Sequence, residues 1–303
     1  MQSLAFKYFL EVAHHGSLSA ASESLDVAIS AISRQISQLE QRVGMPLFER
    51  GARGMTLTAA GHLLLTHAQR QKLETEAALQ DISRLKGLQQ HHIRIACSQG
   101  LANEMVPKAI ATFQHDCPET LFSLWVGSAL AASERVAAGK SDMAITFSTR
   151  PASNVVVRYA HRSAALAIMH KQHPLAKHER LSLKEIVMYP VALTDTDTST
   201  RKIFDMACNM SNIDIEPVLE SNYAEALHAY VRSNSAVLFA SYVSMADRLE
   251  RNDLVVRPVT DAEMHSRSIQ VQVMEGRLLP SSIERFIDLI IEDLEAKRLA
   301  EPR

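Results

Sequence analysis

The sequence predicts an α/β protein: a mainly helical N-terminal head, a long connecting helix, and a larger C-terminal part of alternating strands and helices. Three observations predict it. Apolar residues near the N-terminus recur at helical spacing, with stops at Gly16 and Gly44. An uninterrupted helical pattern runs over 59–87. From Ile93 onward, short apolar runs alternate with amphipathic stretches.

Leu4, Phe6, Phe9, Leu10, Val12 and Ala13 carry the first helix. Gly16 can take the left-handed conformation that ends a helix, and Ser17 can cap the next one. Ala20, Ala21 and Leu25 carry that second helix, and a turn at 26–28 leads into a third over 29–43. Put Ile29 at 0° and advance about 100° per residue. Ile32, Ile36, Leu39 and Val43 then fall between about 280° and 340°, an apolar face that belongs against a core. Ser30, Ser33, Arg34, Ser37, Gln38 and Gln41 span about 40° to 180°, with no acid among them; Glu40 sits at about 20°. A solvated face usually mixes both signs of charge. This one offers neutral donors and acceptors plus a guanidinium, which suits base edges and phosphates.

Gly51 and Gly54 permit a tight turn between two short extended pieces, a β-wing. Arg50 and Arg53 flank that turn, where they can reach a minor groove or phosphates; the plainer reading is an exposed hairpin. Thr58 caps the long helix, whose apolar side includes Leu63, Leu64, Ala68, Leu73, Ile82 and Leu85. Such a stripe needs a partner, and a second subunit is the simplest one; without a strict heptad, the pairing is antiparallel or irregular. Beyond it the expected strands are 93–96, 121–126, 143–147, 155–159, 166–169, 190–193, 236–240, 254–257 and 269–274. The expected helices are 103–113, 128–138, 200–208, 223–231 and 281–294. This alternation implies a largely parallel sheet with ligands at the carboxyl ends of its strands.

A length of 303 residues fits two domains, and 47% hydrophobic against 22% charged residues excludes a mostly disordered chain. No run of about 18 apolar residues exists for a membrane span, and the start lacks a signal-peptide pattern, so a cytoplasmic protein is expected, with no membrane partner. Cys97, Cys117 and Cys208 are too few and too far apart for a disulfide framework or thiolate zinc site, and read as buried reduced thiols. A net charge of −2 means that any nucleic-acid contact must come from local placement of charge. No nucleophile elbow, phosphate-binding Gly loop or HExxH pattern appears, so no enzyme is expected. The histidines at 14–15, 91–92 and 170–178 lack a carboxylate at ligand spacing; no metal and no cofactor are expected.

Five segments at consistent spacing closely resemble the winged helix-turn-helix of LysR-type transcriptional regulators: YFLEVA at 8–13, GSLSAA at 16–21, AISRQISQLE at 31–40, GMPLFER at 44–50 and LTAAG at 57–61. Weaker motifs, GKSDMAI at 139–145 and HPLA at 173–176, extend the resemblance over the rest of the chain. It implies a winged helix-turn-helix over 1–58, a linker and dimerisation helix over 59–88, and a two-lobed, periplasmic-binding-protein-like α/β effector domain over 89–303. Lobe I would take about 92–160 and 266–303, and lobe II about 161–265. Ser30, Ser33, Arg34, Ser37 and Gln38 would face double-stranded operator DNA, with Arg50 and Arg53 on the wing. The chain would act as a dimer or tetramer whose geometry responds to a small molecule.

The chain departs from the family at Ala28-Ile29, where many members have Ser-Gln or Ala-Pro. Ala28 cannot cap the recognition helix through a side chain, a loss of roughly 0.5–2 kcal/mol, and Ile29 cannot make the bidentate adenine contact of a glutamine. Base reading must then lean on Ser30, Ser33, Arg34 and the wing, with a high share of shape and backbone readout. The candidate effector residues sit at strand ends and helix starts: Ser98, Gln99, Gly100, Ser128, Thr146, Ser148, Thr194, Thr196 and Asn222. Hydroxyls beside helix N-termini suit a carboxylate or an amino-acid-like compound, while Asp195 and Asp197 either face solvent or recognise an amine. The competing reading is a solute-type binding protein without specific DNA recognition, which leaves 1–88 unexplained.

Overall fold

In the computed structural model the described residues are 3–51, 54–84, 91–149, 153–233, 235–249 and 253–302. The chain divides into two compact units: Met1–Gln89 with Gly276–Leu279, and Gln90–Glu275 with Pro280–Arg303.

The first unit contains α1 (Leu4–His15), α2 (Leu18–Leu25), α3 (Ile29–Val43), β1 (Phe48–Gly51), β2 (Gly54–Leu57) and α4 (Ala59–Arg84). Its helix boundaries follow from capping. Ser17 Oγ accepts the Ala20 N–H at 3.4 Å, Gly16 closes α1 at φ 63°, and Thr58 Oγ1 accepts the Gly61 N–H at 3.0 Å. Phe9, Val12, Ile32, Ile36, Leu47 and Phe48 form the core, with the Phe9 and Phe48 rings 5.3 Å apart. β1 and β2 pair antiparallel, Phe48 opposite Leu57 and Gly51 opposite Gly54. The Met55 N–H donates to Gly16 O at 2.7 Å, which ties the wing to the α1–α2 turn. That approach requires Gly54: its φ is 109°, and a Cβ there would lie 2.4 Å from Gly16 O. Two positions expected on the apolar face of α3, Ile29 and Val43, are exposed. They lie at the helix ends, and the core grips only its middle, Ile32, Ile36 and Leu39. The expected end of the long helix, at 87, lies outside the described residues.

The second unit has two lobes. Chain order is β3 (His91–Ser98), α5 (Gln99–Ala102), α6 (Met105–Asp116), β4 (Thr120–Gly127), α7 (Ala129–Ala137), β5 (Met143–Ser148) and β6 (Val155–Arg162). There follow β7 (Leu166–His170), α8 (Leu183–Ile186), β8 (Ala192–Thr194), α9 (Ser199–Met210), β9 (Leu219–Ser221), α10 (Ala224–Ser233), β10 (Leu238–Ala240), α11 (Tyr242–Leu249) and β11 (Leu254–Arg257). The chain closes with β12 (Ser268–Met274) and α12 (Ser281–Ala300). One lobe carries a five-stranded sheet of order β4-β3-β5-β12-β6. The other carries β10-β7-β11 and the pair β8-β9.

The sheets are less parallel than the alternation suggested. β3 runs parallel to β4 and β5, but β12 is antiparallel to β5 and β6, and β7 to β10 and β11. The cause is the double crossover between lobes, near 163–165 and 266–267. β12 enters its sheet at the end toward which β5 and β6 run, so it travels against them. The two crossovers are stitched together by Ser163 N–H to Arg267 O at 3.2 Å and Ala165 N–H to Met264 O at 2.9 Å. β7 shows why its apolar run is continuous: Ala167 and Met169 enter one core cluster, Leu166 and Ile168 the other.

Candidate functional site

On α3 the side chains of Ser30, Arg34 and Gln38 are exposed and Ser33 and Ser37 are half-buried, opposite the buried Ile32, Ile36 and Leu39. Glu40, the acid nearest this stripe, is engaged elsewhere. Its carboxylate accepts the N–H groups of Leu47 at 2.8 Å and Phe48 at 3.3 Å, which fixes where the wing begins. Arg34, Arg42 and Arg50 form no ion pair with a described residue. Arg34, free of acids beside hydroxyls and amides on a helix about 10–12 Å across, suits a major groove about 12 Å wide. Ala28 has the backbone of a cap residue, φ −61° and ψ 139°, but no side-chain cap bond. Arg50 is exposed on β1; Arg53 lies outside the described residues.

Between the lobes of the second unit lies a cavity of about 380 Å³. Ser98, Gln99, Gly100, Ser128, Thr194 and Asn222 line it. Strand and helix ends place them there, and several make local bonds as well. Ser98 Oγ accepts the Phe147 N–H at 3.3 Å, Ser128 Oγ caps α7 at the Ala131 N–H, and Thr194 Oγ1 pairs with Thr198 Oγ1 at 2.6 Å. Gln99 spans the two lobes: its Nε2 donates to Asn222 O and its Oε1 accepts the Ala224 N–H at 3.3 Å. Three further residues singled out in the sequence do not line the cavity. Alternation along β5 sends Phe147 into it and turns Thr146 and Ser148 to the opposite face. Thr196 is exposed, with its hydroxyl on Asp195 at 3.2 Å. Asp195 and Asp197 both reach the rim, and the Asp195 carboxylate also accepts the Thr196 N–H at 2.6 Å.

The sequence reading missed several lining residues. Phe147, Leu227 and Leu238 are apolar lining residues, and Arg267, His228, Ser241 and Ser244 are polar ones. Arg267 is only 2% exposed and has its guanidinium over the Phe147 ring, 4.6 Å from the centroid. Burial pulls its pKa down to about 10, so it remains a cation at neutral pH. Burial likewise holds the His228 imidazole below the ordinary histidine value. Beside the cavity ion pairs join the lobes, Arg248 to Glu104 at 3.3 Å and Asp247 to Lys108 at 2.8 Å and Lys297 at 3.1 Å, while Arg248 also pairs with Glu225 of its own lobe at 2.5 Å. No local pattern announces Arg267. It stands alone before an apolar strand, and only the crossover brings it to the cavity.

Cys97 and Cys208 are buried, and burial pushes their thiols up to about 12 and about 11. Among the described residues no group of three His, Cys, Asp or Glu side chains converges on a metal position, and no helix is long and apolar enough to cross a membrane.

Two family models match the chain: a bacterial regulatory helix-turn-helix of the lysR family over residues 4–62, and a LysR substrate binding domain over residues 86–295. A probable RuBisCO transcriptional regulator of Gracilaria tenuistipitata var. liui is 31% identical over 285 residues, covering 91% of each chain. Its counterpart from Synechocystis sp. is 29% identical over 283 residues, covering 91% of this chain and 81% of its own. Among solved structures, a full-length OxyR variant from Pseudomonas aeruginosa superposes with a TM-score of 0.65 at 16% identity, covering 97% of this chain and 95% of that one, a likeness of fold.

Proposed function

We propose a division of labour within a chain that belongs to the LysR family of bacterial helix-turn-helix regulators, DNA-binding transcriptional regulators with an effector-binding domain. Residues 1–58 bind operator DNA, with α3 in the major groove and the wing on the backbone or minor groove. Residues 59–88 pair subunits, and 89–303 hold a small-molecule effector between the lobes. The observation that carries this reading is the exposed, acid-free face of α3, where Ser30, Arg34 and Gln38 stand out while isoleucines clamp the opposite side.

With few cations near the duplex, one head binds weakly, and joining heads supplies affinity through effective concentration. Leu79 and Ile82, one turn apart on α4, are more than half exposed, an apolar patch suited to a second copy of the helix. Effector occupancy then biases the lobes, and through them the spacing of paired heads. A merely solute-binding role finds no support in the helix-turn-helix.

The test compares retention of the chain's own upstream duplex with retention of random duplex. A regulator prefers the former, and removal of 1–88 abolishes that preference while leaving ligand-induced thermal shifts. Equal retention of both duplexes by the full chain overturns the reading. Sedimentation showing only monomer at micromolar concentration overturns the pairing.

A further inference from the structure

We infer that Arg267 anchors an anionic effector, so that the interlobe cavity takes a small monoanion, a carboxylate with an apolar body, and reads its charge at the hinge. This rests on the regulator reading above and names the chemistry of its effector.

The first support is an unbalanced cation. Arg267 Nε donates to Ser163 O at 3.1 Å, Nη1 to Thr200 Oγ1 at 2.6 Å and to Ser199 Oγ at 3.3 Å, and Nη2 to Ala164 O at 3.4 Å. Every one of these acceptors is neutral. A buried charge is costly unless it is paired. The other arginines of the effector unit near the cavity are paired: Arg201 with Asp205 and Glu220, and Arg248 with Glu104 and Glu225. The acid that acts on Arg267 through space, Glu301, makes no ion pair with it, and burial pushes its own carboxyl up. Asp195 is turned toward the Thr196 N–H.

The second support is a helix end. Thr198 Oγ1 caps α9 by accepting the Arg201 N–H at 3.1 Å, so the N–H groups of Ser199 and Thr200 have no intrahelical partner. Both residues line the cavity, and both hydroxyls touch Arg267. A carboxylate there meets a guanidinium and the positive end of a twelve-residue helix together.

The rest of the cavity sets the ligand's shape and charge. Phe147, Leu227 and Leu238 line it, so the body of the ligand is apolar. His228 lines it too, but burial keeps that imidazole neutral at pH 7, so no second cation calls for a dianion. The volume, about 380 Å³, is at the small end of ligand sites, roughly 300–1,000 Å³.

Arg267 also sits at the crossover. Its carbonyl accepts the Ser163 N–H at 3.2 Å while its Nε donates back to Ser163 O, so one residue clasps both connecting strands. Its Nη1 reaches α9 of one lobe, and its face stacks on Phe147 of the other. An anion that draws on the Nη groups therefore acts on the joint between the lobes.

The full chain is tested by thermal shift and calorimetry with benzoate and 3-methylbutyrate, against benzamide and 3-methylbutyramide at matched ionic strength. The carboxylates raise the melting temperature and the amides do not. R267Q weakens carboxylate binding at least roughly tenfold, the loss of a charge-assisted contact, and R267K keeps part of it. A240L fills the cavity, leaves Arg267 in place and abolishes the response, which keeps the test decisive if R267Q fails to fold. Carboxylates without effect, amides that match them, or an R267Q or A240L protein that responds like the parent each overturn the proposal. Retention of upstream duplex is measured on the same proteins. Lost carboxylate response with intact duplex preference removes the anion alone, whereas loss of duplex preference in the parent chain removes the premise.

Discussion

Replacing Ala28 by Ser should stabilise the recognition helix. The backbone at Ala28, φ −61° and ψ 139°, occupies the basin of Ser3 (−68°, 149°) and Thr198 (−77°, 147°), both of which cap their helices through a side-chain oxygen. A hydroxyl at 28 therefore reaches the Ala31 N–H without backbone strain. Caps are worth about 0.5–2 kcal/mol. Here the Ala31 N–H already donates to Ala28 O at 3.0 Å, so the gain belongs at the lower end, about 0.5–1 kcal/mol. That corresponds to amide exchange in the first turns of α3 slowed about two- to five-fold. Hydrogen exchange on the intact chain reads it directly, with A28V as a control that carries no cap oxygen and should gain nothing. Unchanged or faster exchange in A28S would refute the reasoning, because it would mean that the start of α3 is held by something other than its cap.

Gly54→Ala forces a Cβ to 2.4 Å from Gly16 O at a φ of 109° and should destabilise the head by at least about 2 kcal/mol, read as a lower urea midpoint of the head transition; an unchanged midpoint contradicts the close approach. R34A and R50A should each reduce the slope of log affinity against log salt by about 1 across specific and random duplexes, measured by anisotropy; slopes equal to the parent's would remove them from the phosphate contacts. His161, His173 and His228 are all held by burial below the ordinary 6.5. The unfolded chain therefore takes up protons first as pH falls, so stability is fully present above pH 6.5 and declines below it. Melting temperature against pH should show this fall, and H228Q should flatten it; a curve that rises toward acid would reverse the sign. Alkylation of the native chain at pH 8 should label the half-buried Cys117 before Cys97 and Cys208, whose thiols burial pushes up to about 12 and about 11; early labelling of Cys97 would contradict its burial.

Much of the head was legible because local signals agreed. Helix spacing, Gly16, Ser17, Gly44 and Thr58 each act over a few residues, and α3 spans the 29–43 that its period predicts. β5 and β7 were legible as continuous apolar runs because both of their faces are covered. What failed to show depends on distance along the chain. β9, three residues of Leu219–Ser221, is too short to have a period. The strand directions depend on two crossovers that no local pattern reveals. Of the cavity residues, those at strand ends were readable, but Thr146 and Ser148 required knowing which face of β5 looks inward. Arg267 required the fold itself, since Ser163, Ser199 and Phe147 meet it from more than 60 residues away in sequence.

The most direct measurement of the central claim is the affinity of the S30A/S33A/R34A triple variant for the upstream duplex, relative to a scrambled duplex of equal length. These side chains project from α3 and none is in its buried core, so the melting curve should match the parent's while the preference falls to the scrambled level. A variant that folds like the parent and still prefers the upstream duplex would contradict the claim that this face reads DNA.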